Sequence, residues 1–175
     1  MAFEYLAHLL TACMLAHGLL TFHGVLMEYE GNGIIISAAS GTGKTTHARL
    51  WRDLRHALII NGDRAVCAKT AGGWTGYGLP WSGTSGEQIN RSVAIRALVL
   101  RRGETNEAYR ISALEAFHQV FAHVLYPSWD KALTEKMMDL LESFLRDVPI
   151  FLLSCRPDAE SVDVLHDALA EVLHE

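Results

Sequence analysis

Apolar residues fall in short runs through the middle of the chain and recur at helical spacing near both ends. At the start, Leu6, Leu9, Leu10, Cys13 and Met14 share one face of a helix predicted over residues 5–17. A strand then begins near His23, and residues 25–29 read as its body. Gly31, Asn32 and Gly33 are a turn signal, because glycine and asparagine tolerate positive φ. Ile34, Ile35 and Ile36 read as a fully buried strand, so the two strands are expected to form a hairpin. A loop of small residues, 37–43, leads into a helix over residues 44–54. Residues 58–60 form another buried strand that stops at Asn61, Gly62 and Asp63. Residues 65–68 and 74–77 are short strands about a glycine turn, and residues 78–86 are too rich in turn residues for a regular element. Residues 94–100 are a strand, and residues 108–111 are expected to pair with it across Glu104, Thr105 and Asn106.

The last third is mainly helical. Ser112 and Glu115 have the spacing of a capping box, in which each side chain satisfies an orphan amide at a helix start. Leu114, Phe117, Phe121, Val124 and Leu125 supply the apolar stripe of that helix, and Pro127 stops it. A second helix covers residues 130–145, and Pro149 precedes a strand over 150–153. Asp158 caps a final helix carrying Val162, Leu165, Leu169 and Val172. The prediction is one α/β domain over residues 1–175, with a mixed, partly antiparallel sheet and C-terminal helices.

Composition narrows the function classes. The 175 residues are 50% hydrophobic and 20% charged, enough to bury one sizeable core and too apolar for disorder. A formal charge of -5 argues against a generic nucleic-acid binder. Three scattered cysteines, Cys13, Cys67 and Cys155, fit neither a disulfide framework nor a paired-cysteine zinc site, and a reducing cytoplasm is the simplest compartment. Residues 5–27 carry no formal charge, long enough to raise a membrane helix. His8, Thr11, His17, Gly18, Thr21, His23 and Gly24 interrupt that stretch, and no Lys or Arg precedes it as in a signal peptide. A buried helix followed by a strand is the better reading.

The most specific chemistry lies between the triple isoleucine and the next helix. The run Ala38-Ala39-Ser40-Gly41-Thr42-Gly43-Lys44-Thr45, followed by Thr46, fits the phosphate-binding pattern G-x-x-x-x-G-K-[ST], with Ala38 in place of the first glycine. Small residues let successive backbone amides turn inward and cradle phosphate oxygens. The helix that follows points its positive end at the same oxygens. In this pattern Ser40 to Thr46 bind the nucleotide, Lys44 adds a point charge for the β and γ phosphates, and the Thr45 hydroxyl ligates magnesium. Asp63, at the end of a buried strand, is the candidate second acid for the metal or for activating a nucleophile.

A wider resemblance covers residues 23 to the C-terminus. The segments His23-Gly24-Val25-Leu26-Met27-Glu28 and Gly33-Ile34-Ile35-Ile36-Ser37, then the loop, resemble the catalytic domain of HPr kinase/phosphorylase. Gly78-Leu79-Pro80-Trp81-Ser82-Gly83 is similar to the Gly-x-Pro-Trp-x-Gly stretch of small HPr-kinase-like proteins. Val148-Pro149-Ile150 with Cys155-Arg156-Pro157-Asp158 resembles their C-terminal end. The resemblance implies an ATP- and Mg2+-dependent kinase acting on a hydroxyl, in serine of a peptide or small protein or in a small molecule. It makes His23 an active-site histidine, Lys44 and Thr45 the phosphate and magnesium residues, and Asp63 the second acid of an Asp-Asp pair. Gly62 stands where the first acid of that pair belongs.

Arg64, beside Asp63, is a candidate phosphate contact, and Ser82, Asn90 and Arg91 are candidates to close over nucleotide or substrate. Arg49, Arg52 and Arg55 share a helix and read as a solvated face. His118 and His123, placed on one helix at i and i+5, show no metal spacing. Two alternatives stay open: a non-catalytic nucleotide-binding module, favoured by Gly62 and Ala38, and a carboxykinase-like enzyme acting on a small acid. No membrane or nucleic-acid partner is expected, and an oligomer is compatible with the sequence.

Overall fold

The triple isoleucine alternates between two cores, and this alternation organises the molecule. In the computed structural model, which describes residues 2–174 and the side chains from residue 6 onward, Ile35 packs into one apolar cluster while Ile34 and Ile36 pack into another. Successive residues of a strand point to opposite faces, so an all-apolar run requires cover on both sides. Helices α1 (Ala2–Ala16), α3 (Ala113–Phe121) and α4 (Lys131–Asp147) cover the first face with Leu15, Val120, Leu141 and Phe144. Helices α2 (Lys44–Arg55) and α5 (Ala159–Leu173) cover the second with Ala48, Trp51, Leu165 and Leu169.

The sheet has eight strands: β1 (Leu19–Tyr29), β2 (Asn32–Ser37), β3 (Leu58–Asn61), β4 (Arg64–Thr70), β5 (Gly73–Tyr77), β6 (Ser92–Arg102), β7 (Glu107–Ile111) and β8 (Ile150–Ser154). Most neighbours are antiparallel; β2–β6 and β6–β8 are parallel. Strand β1 is long enough to pair with β2 along one stretch and with β3 and β4 along others. Together with β4–β5, β5–β6 and β2–β6, these pairings close a ring through β1, β2, β6, β5 and β4. The C-terminal ends of the three parallel strands β2, β6 and β8 lie side by side, the usual place for a ligand crevice in α/β proteins.

The expected hairpin of β1 and β2 is present, with its turn one position earlier, at Glu30 and Gly31 with φ of 49 and 79. Strand β7 does not pair with β6. It is antiparallel to β8, which inserts between them. All five residues of β8 are buried, so it needs a central place, whereas β7 exposes most of its residues and suits the edge.

Two helix faces also differ from expectation. The buried side of α1 is Ala7, Thr11, Met14 and Leu15, while Leu6, Leu9 and Cys13 face outward. Thr11 is accommodated because its hydroxyl donates to the Ala7 carbonyl at 2.9 Å. The capping box of Ser112 and Glu115 forms as expected. However, α3 buries Ala116 and Val120 and leaves Leu114 85% exposed. The helix ends at Phe121, well before Pro127, because the next residues leave it to bond with β1. Leu125 N–H donates to the Thr21 carbonyl at 2.8 Å, and the His123 carbonyl accepts from His23 N–H at 2.7 Å. His123 therefore lies beyond the helix. No helix among the described residues is long and apolar enough to cross a membrane.

Candidate active site

The loop after β2 has the conformation its residue types demand. Gly41 and Gly43 hold φ of 77 and 85, the left-handed region that favours glycine. Ala38 is buried, and among the described residues only Glu30 and His56 are non-glycines with positive φ. Alanine at position 38 therefore carries no backbone strain. Gly43 is the N-cap of α2, and no side chain bonds its first amides, so the positive end of the helix faces the loop. Ser40 and Gly41 are exposed at the loop tip, Thr42 Oγ1 donates to the Ala39 carbonyl at 2.7 Å, and Thr46 is exposed on the first turn of α2.

Lys44 turns back under this loop. Its Nζ donates to the carbonyls of Ala38 and Ala39 at 2.9 and 3.0 Å and meets His23 Nε2 at 3.1 Å. An ammonium only donates, so Nε2 accepts and the imidazole proton sits on Nδ1. Nδ1 lies 3.7 Å from Asp63 Oδ1, an approach longer than a hydrogen bond. Burial, and then the Lys44 charge, hold the His23 pKa below the usual histidine value. Burial lowers Lys44 as well, with the Asp63 carboxylate opposing and the Arg101 cation adding to the effect.

Asp63 is fixed from several sides. Its N–H and that of Arg64 donate to Asn61 Oδ1 at 3.0 and 2.8 Å. The same buried asparagine donates through Nδ2 to the carbonyls of Leu79 and Trp81 at 3.1 and 2.8 Å. Asn61 thus ties the 79–83 loop to the turn that carries the carboxylate. The Asp63 carbonyl accepts from Gly24 N–H at 2.9 Å, which sets β1 and His23 in place beside it. Gly83 is pressed against the carboxyl group: a Cβ there would lie 2.6 Å from Asp63 Cγ. Thr45 Oγ1 donates to the Gly62 carbonyl at 3.3 Å, bringing the hydroxyl to the residue before Asp63.

The structure thus brings together His23, Lys44, Thr45 and Asp63. Arg64 joins them, with Nε 3.6 Å from Asp63 Oδ2, and it lines a cavity of about 240 Å³ with Thr11, Tyr126 and Trp129. Ser82 is buried close by and gives its carbonyl to the N–H and hydroxyl of Ser85. Asn90 and Arg91 are not brought to this cluster. Arg91 makes a two-pronged ion pair with Glu28, five residues beyond His23 on β1 and so roughly 16 Å along the strand. Asn90 is exposed on a separate cleft of about 460 Å³ with Leu79 and Ile89. Arg49 and Arg52 both engage Glu87, and Arg55 engages Asp163.

Ser85 leaves no room at Gly62 for the acid expected there from the sequence resemblance. A Cβ on Gly62 would lie 2.2 Å from Ser85 Oγ and 2.6 Å from Ser85 Cβ. No group of three or more His, Cys, Asp or Glu residues among the described residues could hold a metal by itself. The sequence does not single out Asn61, in a turn-rich run, or Arg101, just past the expected end of β6. The signals were present: a polar residue closing a buried strand, and a basic pair at a strand's C-terminal end.

No family model matches the chain, and no curated protein matches it in sequence. Among solved structures it is similar to the HPr(Ser) kinase/phosphatase from Coxiella burnetii, with a TM-score of 0.51 and 9% identity, over 86% of this chain and 88% of that one. The two chains share a fold. At this identity the likeness concerns architecture: a mixed α/β molecule with a mostly antiparallel sheet and helices, of HPr-kinase-like form.

Proposed function

We propose that this protein is an ATP-dependent kinase that transfers the γ-phosphate to a hydroxyl acceptor, a serine in a peptide or small protein, or a small-molecule alcohol. The observation that carries the reading is the convergence of Lys44, His23 and Asp63 below an uncapped helix N-terminus. The likeness in fold to a kinase/phosphatase adds to it. The loop amides and Lys44 hold the phosphate chain, as point charges and oriented donors do in phosphoryl transfer.

The residues suit a magnesium ion. The Thr45 hydroxyl and Asp63 carboxylate are hard oxygen donors, and magnesium commonly takes one or two carboxylates with phosphate oxygens and water. Such an ion supplies neutralisation of charge across the β and γ phosphates. The acceptor hydroxyl gives its proton to Asp63 as its oxygen bonds to the γ-phosphorus and the bond to the ADP oxygen breaks. His23, neutral with Nδ1–H on the Asp63 side, stands 3.7 Å from that carboxylate and leaves it free to take the proton. Most of the rate comes from positioning and charge stabilisation.

Intact-mass analysis of a mixture of serine-containing peptides and free serine with Mg-ATP tests the reading; one added phosphate on an acceptor is the expected result. Ser85 packed against Gly62 favours a second reading, a nucleotide-binding module without transfer. That reading requires ATP binding with no turnover in the presence of any acceptor.

A further inference from the structure

A second cation reaches the phosphate loop from the opposite flank. Arg101 lies at the C-terminal end of β6, just past Leu100, which is paired with Ser37 at the base of the loop. Its guanidinium packs on Gly43: Cζ, Nη1 and Nη2 are each 3.6 Å from where a Gly43 Cβ would sit. Nε is buried and has no hydrogen-bond partner. Nη2 donates to the Cys155 carbonyl at 3.3 Å, and the guanidinium also bonds the Cys155 side chain, a weak sulfur partner. Among the described residues no carboxylate lies within ion-pair distance of it, whereas Arg49, Arg52, Arg55, Arg91 and Arg156 all have one.

A partly buried guanidinium without a counter-ion is costly, and a second cation close by makes it more so. Lys44 is that second cation; Arg101 lowers its basicity. Lys44 and Arg101 therefore flank the loop at the start of α2, and among the described residues neither has a carboxylate within ion-pair distance. Lys44 reaches toward His23 and Asp63, where the chemistry is placed. Arg101 stands on the other side. There a cleft of about 450 Å³ opens between Thr42, Arg101 and Pro157, and a second of about 540 Å³ runs from Thr42 and Arg101 back to His123, beside His23.

We infer that Arg101 binds the phosphates that stay behind, the α and β groups of a nucleoside di- or triphosphate, whose nucleoside lies in the clefts beside β6 and β8. This rests on the kinase reading of the same loop. Lys44 and Arg101 then hold opposite ends of one phosphate chain and divide its recognition. Arg101 recognises what ADP and ATP have in common; Lys44 adds recognition of the group ATP alone carries.

The test is calorimetric binding of ADP, Mg-ATP and inorganic pyrophosphate to the parent, Arg101→Met and Arg101→Gln. Met keeps the aliphatic packing, and Gln keeps a donor for the Cys155 carbonyl. Loss of a charge-assisted contact is expected to weaken ADP and ATP alike, by roughly 10- to 100-fold, with little change in melting temperature. Pyrophosphate binding that falls in step assigns the contact to phosphate, whereas unchanged pyrophosphate binding with weakened ADP overturns it. Parental ADP affinity in a folded variant overturns it too, as does a loss confined to ATP. If neither variant folds, the parent decides: saturating ADP is expected to protect Arg101 from phenylglyoxal, and an unprotected Arg101 overturns the inference. A parent that binds none of the three ligands removes the kinase reading itself; a parent that binds them while the variants bind equally well removes only the role of Arg101.

Discussion

Lys44 Nζ and His23 Nε2 are 3.1 Å apart, and this contact fixes the histidine proton on the opposite nitrogen, toward Asp63. The residue that would meet a phosphate thus also sets the protonation of the residue beside the carboxylate. Removing Lys44 disturbs both. Lys44→Ala is expected to lose at least tenfold in ATP affinity, about 1.4 kcal/mol, while melting close to the parent. Titration calorimetry and a thermal melt check it; undiminished affinity would take the loop out of nucleotide binding.

Asp63→Asn keeps the shape beside Gly83 and the backbone bonds to Asn61 and Gly24. ATP binding is expected to stay within roughly tenfold. Turnover should fall by at least two orders of magnitude, the usual worth of a general base. Steady-state kinetics beside a nucleotide titration separates the two. Parental turnover would reduce Asp63 to a turn residue.

Restoring the second acid with Gly62→Asp is not a simple addition, because the new Cβ would overlap the Ser85 side chain. The variant is expected to lose roughly 1–3 kcal/mol of stability, as overpacked sites do. The double variant Gly62→Asp with Ser85→Gly should recover part of that loss. Urea unfolding of the parent, both single variants and the double variant checks the pairing, and an additive result would show that Ser85 does not stand in the way.

His47 gives a pH signature in stability. Trp51 Nε1 donates to its Nε2 at 3.1 Å, so its proton is on Nδ1, facing Ser161 Oγ at 3.3 Å. Ser161 in turn donates to the Asp158 carbonyl at 2.6 Å, linking α2 to the start of α5. Burial, with the Arg101 charge adding to it, pushes His47 from 6.5 down to about 4. Between those values the unfolded chain takes up a proton that the folded protein refuses. The contribution is therefore fully present above pH 6.5 and is lost as pH falls toward 4. It amounts to roughly 3 kcal/mol at the lower limit. Urea midpoints measured across that range should fall more steeply for the parent than for His47→Gln; equal slopes would mean that His47 protonates freely in the folded state.

Local signals carried most of the elements. The hairpin into the loop, the helix that starts at Lys44, the capping box at Ser112 and the Asp158 cap all depend on neighbouring residues, and all were legible. Partners distant in sequence were not. Nothing near residues 108–111 announces that residues 150–154 will intervene. The burial of Thr11 instead of Leu9 depends on which side of α1 meets the sheet. At the candidate site the loop and Asp63 followed from residue type and position, whereas His23 followed only from the resemblance of its segment to HPr kinase/phosphorylase. Arg91 was not brought there, because Glu28 holds it along β1. Arg101 was missed because only the parallel pairing of β2 with β6 sets it against Gly43.

The insertion of β8 between β6 and β7 orders events in time. Both flanking strands are synthesised before β8, since β7 ends at Ile111 and β8 begins at Ile150. At common elongation rates that gap lasts roughly 2–8 s. During it the nascent chain offers two open strand edges and a tempting local hairpin of β6 with β7, which must come apart to admit β8. Pulse-labelled hydrogen exchange during refolding should show β7 amides gaining protection together with those of β8. Protection of β7 ahead of β8 would reveal the local hairpin as a trap on the way to the native sheet.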